Sequence, residues 1–303
     1  MRVRRVAAVV ACLVGCGGDA SPPAAGSARA RGSAGSATVA GSAGSAGSAG
    51  SAAGLGSVPS ATPYADLAAA LVATIPADAR VIGFGELHAR TDAPRVPSAV
   101  SRFTAALPAI QDKLSDLVVE TWIVDPRCGS AAQTATTQLE TAVKRPIATK
   151  SEIAALADAA RAAHIQPVAM HLSCDDYKTI APPGKEPDTV AMLGIVTREL
   201  GRLARAAVAK PTSQRPWVAV YGGALHNDRF PVPGTEDWSY AASVDAVTHD
   251  HFVEIDLIVP ELAVGDTMSE REPWFPLVGA ADARVHVFER GDRSYVMVLP
   301  KTP

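Results

Sequence analysis

The chain runs to 303 residues and carries 28 Lys and Arg against 31 Asp and Glu, a formal charge of −3. No basic block or basic-aromatic stripe occurs beyond the extreme N-terminus, which excludes nucleic acid as a partner. The 48% hydrophobic content is inflated by alanine and only 5% is aromatic, yet the roughly 240 residues that follow the N-terminal region suffice for one sizeable core.

Residues 1–15 read as a secretory signal. Arg2, Arg4 and Arg5 precede the apolar stretch Val6 to Val14, which is too short to span a bilayer as a permanent helix. Leu13-Val14-Gly15-Cys16 resembles the lipobox of bacterial lipoproteins, in which cleavage precedes the cysteine and that cysteine is acylated. The resemblance implies a lipoprotein of the bacterial cell envelope, on the outer membrane in preference to the inner. Palmitate-type chains on Cys16 would hold it there, several chains making a stable attachment where one is marginal. Loss of the signal's arginines leaves 25 basic residues against 31 acidic.

Residues 16–60 form the lipidated cysteine and a tether. From residue 20 onward the segment is almost wholly Ala, Gly, Ser and Pro, with Gly-Ser-Ala repeated from Gly41 to Ala52, so it has too little apolar bulk to offset the entropy of ordering. A coil of about 45 such residues spans roughly 35 to 40 Å on average, which lets the domain sample space near the membrane.

Residues 61–303 read as a single α/β domain, a mainly parallel sheet flanked by helices and closed by a C-terminal β-hairpin. Short apolar runs alternate with longer amphipathic ones. Strands are expected near 80–86, 116–120, 166–171, 216–221 and 251–259. Helices are expected near 64–74, 95–113, 131–143, 150–163 and 188–209, the fourth started by Thr149-Lys150-Ser151-Glu152. Val285-His286-Val287-Phe288 and Tyr295-Val296-Met297-Val298 flank Arg290-Gly291-Asp292, which reads as a hairpin turning at Gly291. The loops 227–240 and 261–280 carry Trp238, Tyr240, Trp274 and Phe275, aromatic residues that either cover a crevice or pack down.

Of the four cysteines, Cys12 lies in the signal and Cys16 is the acylation candidate. Cys128 and Cys174 each trail a strand and fall on the same rim of the sheet. An oxidising envelope favours a disulfide between them, free thiols or thiolate metal ligands being the alternatives.

Chemistry-bearing residues gather at strand ends. Gly85-Glu86-Leu87-His88 and Gly223-Ala224-Leu225-His226 each follow an apolar run, Leu117-Val118-Val119 ends in Glu120, and Pro167-Val168-Ala169-Met170 ends in His171. Carboxyl ends of parallel strands converge on one crevice, where such folds bind ligands. Two histidines and a carboxylate are a common catalytic metal set, with Glu86 and Glu120 available as ligand or base. His171 either adds a ligand or sits in a polar turn, with Asp175 and Asp176, that caps the next helix. His249, His251, Glu254 and Asp256 read as surface or supporting residues, and His164 and His286 as structural. No Gly-x-Ser-x-Gly elbow, phosphate loop or helical His-Glu-x-x-His occurs, which excludes three common hydrolase and nucleotide chemistries.

Gly85-Glu86-Leu87-His88, Val118-Val119-Glu120 and Gly223-Ala224-Leu225-His226, in this order over roughly residues 75 to 260, resemble the superfamily that joins erythromycin esterases, ChaN-like haem-binding lipoproteins and Tiki-type metalloproteases. The resemblance implies one site at the sheet's carboxyl edge lined by Glu86, His88, Glu120 and His226. It further implies a metal-dependent hydrolase acting on a small-molecule or peptide substrate. His88, His226, Glu120 and His171 are the expected ligands of a divalent metal, a nitrogen and oxygen set that suits Zn, Mn, Fe or Co alike. The alternatives are a ChaN-like haem module, with a histidine or Tyr221 as axial ligand, and a catalytically silent scaffold. Ala89-Arg90-Thr91-Asp92 lacks the further histidine common in ChaN-like chains.

Overall fold

A computed structural model describes residues 9–10, 59–93, 95–143, 146, 148–210, 214–279 and 282–302. The lipobox and the tether lie outside the described residues, as does the signal apart from Val9–Val10. The described residues from Pro59 onward form one compact unit. No helix among the described residues is long and apolar enough to cross a membrane.

The strands are β1 (Thr62–Tyr64), β2 (Val81–Glu86), β3 (Leu114–Ile123), β4 (Gln166–Met170), β5 (Trp217–Gly223), β6 (Phe252–Ile258), β7 (Val285–Gly291) and β8 (Ser294–Val298). They form one mixed sheet in the order β4-β3-β5-β2-β6-β8-β7-β1, and Val9–Val10 pair antiparallel with Trp122 and Ile123 of β3. From β4 to β8 every pairing is parallel; the β7–β8 hairpin and the β1–β7 pair are antiparallel. The chain leaves β2 for β3 and β4 on one side, returns to β5 between β3 and β2, then crosses to β6 on the other side. This reversal opens a crevice over the carboxyl ends of β5 and β2, the place where α/β sheets hold ligands.

The helices are α1 (Leu67–Thr74), α2 (Ala99–Ala106), α3 (Gly129–Val143), α4 (Ala148–Ala162), α5 (Cys174–Ile180), α6 (Thr189–Val208), α7 (Ala224–Asn227), α8 (Ala241–Thr248) and α9 (Pro260–Ala263). Strand side chains alternate between faces, so each central strand feeds two cores. Ile82, Phe84, Leu117, Val119, Ala219 and Tyr221 pack with α1, α2 and α4. Val81, Val118, Val218 and Val220 pack with α3, α5, α6 and α8. A smaller cluster holds Trp274 against Ile258, Val296 and Val298, so this loop aromatic packs down.

Several boundaries differ from the sequence expectations for local reasons. The helix expected at 95–113 is shorter. Pro97 precedes the Ser98 cap, whose hydroxyl accepts from Ser101 N–H, and Pro108 brings no N–H, so the α-helix ends at Ala106 and two 3₁₀ turns follow. The first helix starts at Leu67, capped by the Asp66 carboxylate, because Tyr64 is taken into β1. In the hairpin, Gly291 is paired with Ser294 as the end of β7, and Arg293 takes the positive φ of 54°. Gly291 is required for another reason: a Cβ there would lie 2.7 Å from the Phe230 ring.

Candidate functional site

Glu86 is the last residue of β2, and the phenol of Tyr221, on neighbouring β5, donates to its Oε2 at 2.6 Å. Tyr221 is itself fixed by Phe103 of α2, ring centroids 5.1 Å apart. The other carboxylate oxygen, Oε1, lies 3.0 Å from Nδ1 of His88, two residues on, as the extended geometry after the strand dictates. Glu86, itself held by Tyr221, thus fixes the His88 ring through Nδ1. Nε2 is thereby aimed at Gly223, where a Cβ would stand 2.7 Å from it.

Glu120 follows the last β3–β5 pair, Val119 with Tyr221, inside an irregularity of the β3–β4 register between Val119 and Trp122. Such interruptions re-aim side chains beside functional sites. Its carboxylate crosses over β5, and the Gly223 N–H donates to Oε2 at 2.6 Å. That path exists because residue 222 is glycine, since a Cβ on Gly222 would meet Oε2 at 2.7 Å. Glu120 is wholly buried, and Glu86, His88 and His226 nearly so.

His226 sits in the one-turn helix α7 immediately after β5. Its Nδ1 lies 2.7 Å from the Thr197 hydroxyl of α6 and 3.2 Å from the Trp238 carbonyl. The single Thr197 hydroxyl hydrogen goes to that same carbonyl at 2.9 Å, so Thr197 accepts from His226, whose proton is on Nδ1. Nε2 then faces Glu120 Oε2 across 3.9 Å. The arrangement repeats that of His88: each imidazole is anchored through Nδ1 to an acceptor of the fold and presents Nε2 to the space around Gly223 and Glu120. An outer partner that fixes tautomer and ring direction in this way is typical of metal-ligating and proton-transferring histidines.

The two imidazoles approach from different sides, His88 with Glu86 and Tyr221 from the α2 face and His226 with Thr197 from the α6 face. They meet at the rim beside Gly223, whose N–H donates to Glu120 Oε2. His171 is not part of this group. It is exposed between buried Met170 and Leu172, and Ser173 and Asp176 behind it form a capping box for α5. The polar turn therefore caps a helix and carries the fourth expected ligand away from the cluster. Among the described residues no group of three or more His, Cys, Asp or Glu closes to metal-ligand spacing. The donor set itself, two Nε2 atoms and a carboxylate, has the chemistry a divalent cation takes.

Gly223 is the geometric centre. Gly223→Ala would bring a Cβ to 2.7 Å from His88 Nε2 and 3.1 Å from Cε1. The ring has to yield. The expected result is a folded protein in which the His88 imidazole is displaced; 15N–1H ring spectra beside a thermal melt would check it.

Sequence reasoning missed Thr197, which lies in an ordinary amphipathic helix and gives no signal. It also missed the pairing of Asn227 with Asp256, for which a signal existed. Glu254 and Asp256 alternate on one face of β6, in register with Gly83 and Gly85 of β2, acids beside absent side chains. Cys128 and Cys174 form a disulfide that joins the turn before α3 to the first turn of α5.

No family model matches the chain, and no curated protein matches it. Among solved structures, that of the type III effector HopBA1 is similar, at 13% sequence identity over 80% of this chain and 98% of that chain, with a TM-score of 0.42.

Proposed function

We propose that this chain is an envelope lipoprotein whose rim cluster hydrolyses an ester or amide bond with the help of a divalent cation, as in the erythromycin-esterase and Tiki branches its motifs resemble. One observation carries the reading: both histidines are held through Nδ1, His226 Nε2 faces Glu120 Oε2 at 3.9 Å, and His88 Nε2 points at Gly223, whose N–H donates to that same oxygen. His88, His226 and Glu120 would hold the cation, which supplies Lewis acidity toward a substrate carbonyl. Glu86, fixed by Tyr221, would hold the His88 ring through Nδ1 and so present its Nε2 to the cation. The near-complete burial of the four side chains excludes bulk water and strengthens every charge interaction within the site. The haem-module and silent-scaffold readings remain as outcomes of the test.

The test is a panel of ester and peptide substrates offered to the full-length protein before and after chelation and metal return. Parent protein is expected to hydrolyse at least one class, to lose the activity with chelator and to regain it with a divalent metal. Glu120→Gln is expected to lose about 100-fold or more at an unchanged melting temperature. Full activity in Glu120→Gln contradicts the reading.

The anchor is tested separately. Cys16→Ser is expected to move the protein from the membrane fraction and the detergent phase to the aqueous phase, because no acyl chain can be attached. Membrane fractionation equal to the parent's contradicts a lipid anchor at Cys16.

A further inference from the structure

The α8-side face of β6 carries two buried acids that the proposed reaction does not use. Glu254 is accounted for locally: its carboxylate accepts from the Arg229 N–H at 3.0 Å and from the Arg290 guanidinium at 3.2 Å, and Arg290 also binds Asp228 at 2.8 Å. Asp256 is different. It faces the side chain of Asn227, the residue directly after His226, whose Nδ2 donates to Asp256 Oδ1 at 3.2 Å and to the Gly83 carbonyl at 3.1 Å. The space they occupy exists because residue 85 is glycine: a Cβ there would lie 2.2 Å from Asp256 Oδ1 and 2.7 Å from Asn227 Oδ1. Asn227 Oδ1 is buried and has no hydrogen-bond donor among the described residues.

We propose that the Asp256 carboxyl and the Asn227 amide form a buried clamp that fixes α7, and with it His226, to strands β2 and β6. An acid and an amide pair through two hydrogen bonds when the acid keeps its proton: the acid's carbonyl oxygen accepts from the amide N–H, and its O–H donates to the amide oxygen. That hydrogen is the one Asn227 Oδ1 lacks, and an ionised Asp256 has none to give. The surroundings agree. Burial first, then the charges of Glu254 on the same strand and Asp228 beyond α7, push Asp256 well above the usual carboxylate range, against Arg290 of β7. The phenol of Tyr240, from the segment leading into α8, is pushed up by burial first and then by Asp256, Glu254 and Glu120, and stays neutral. The backbone completes the hold on α7, the Tyr240 N–H donating to the His226 carbonyl at 2.8 Å. Asp256 and Asn227 are positioning residues; they act through His226, and the importance of that residue rests on the proposed function, whereas the clamp rests on the Asn227–Asp256 hydrogen bond and the unpartnered Asn227 Oδ1.

The test reads His226 directly and needs no substrate. Imidazole 15N–1H correlation spectra of the full-length protein, with His226 assigned by substitution, report which ring nitrogen carries the proton. Asp256→Asn reproduces the neutral acid, because its amide both accepts from and donates to Asn227. It is expected to keep the Nδ1–H pattern of His226 and a melting temperature no lower than the parent's. A group whose pKa is raised by folding stabilises below its unfolded pKa and loses that contribution as pH rises through its folded pKa. Parent stability is therefore expected to fall as pH rises above the ordinary carboxylate range, and the Asn variant to lose that slope. Asp256→Ala is expected to blur the His226 pattern into mixed tautomers and to melt earlier. If the Ala variant does not fold, the Asn variant decides alone: loss of the Nδ1–H pattern in Asp256→Asn, or retention of the parent's downward slope with pH, overturns the clamp. Absence of hydrolytic activity does not enter either readout, so failure of the proposed reaction and failure of the clamp are told apart.

Discussion

On the proposed function, His88→Ala and His226→Ala are each expected to reduce hydrolysis to the background of the unassisted site, and the double variant to lose little more than either one. The two residues are far apart in sequence and enter the rim from different faces of the sheet, yet each aims Nε2 at the region of Glu120 Oε2 and Gly223. Groups that act as a unit are strongly non-additive: with one member gone, the others have nothing to complete. Independent sites would instead multiply their losses. Rates of the two single variants and the double variant on one substrate decide between these outcomes, and multiplied losses reject a shared centre.

The largest stability effect belongs to the Cys128–Cys174 bridge. Its sequence separation is 46, and loop-closure arithmetic for a loop of that length gives about 4 kcal/mol from restriction of the unfolded chain. That is a large share of the 5 to 15 kcal/mol typical of a folded domain. The bridge holds the turn before α3 to the start of α5, beside the α6 face from which Thr197 reaches His226. Cys128→Ser with Cys174→Ser is expected to lower the unfolding free energy by about 4 kcal/mol in urea titrations. Peptide mapping without reduction should recover the linked pair. Two alkylatable thiols in protein taken from an oxidising compartment contradict the bridge.

The parallel core was legible because each strand is a short apolar run that ends in a chemically distinctive residue. Glu86, His88, Glu120 and His226 could be placed at one edge before any coordinates, since parallel strands put their carboxyl ends together. Helix α8 and strand β1 were not legible. Ala241–Thr248 has no side-chain cap and a weak apolar stripe, and Thr62–Tyr64 is three residues whose place is set only by pairing with β7. His171 looked equivalent to the other strand-end histidines; what separates it is that Met170 and Leu172 are buried on either side and leave it exposed. Gly291 was read as the turn glycine, but its constraint is Phe230, 61 positions earlier and invisible to local pattern. The anchors of the histidines are of the same kind: Thr197 and Tyr221 are ordinary residues of a helix and a strand until the fold sets their oxygens beside Nδ1 of His226 and the carboxylate of Glu86.

The central claim, that both Nε2 atoms and Glu120 serve one cation, is tested most directly by elemental analysis and a visible absorption spectrum on the same purified full-length protein. About one divalent cation per chain, no haem band, and loss of the cation in His226→Ala is the expected result. A haem band, or a cation retained undiminished in His226→Ala, contradicts it.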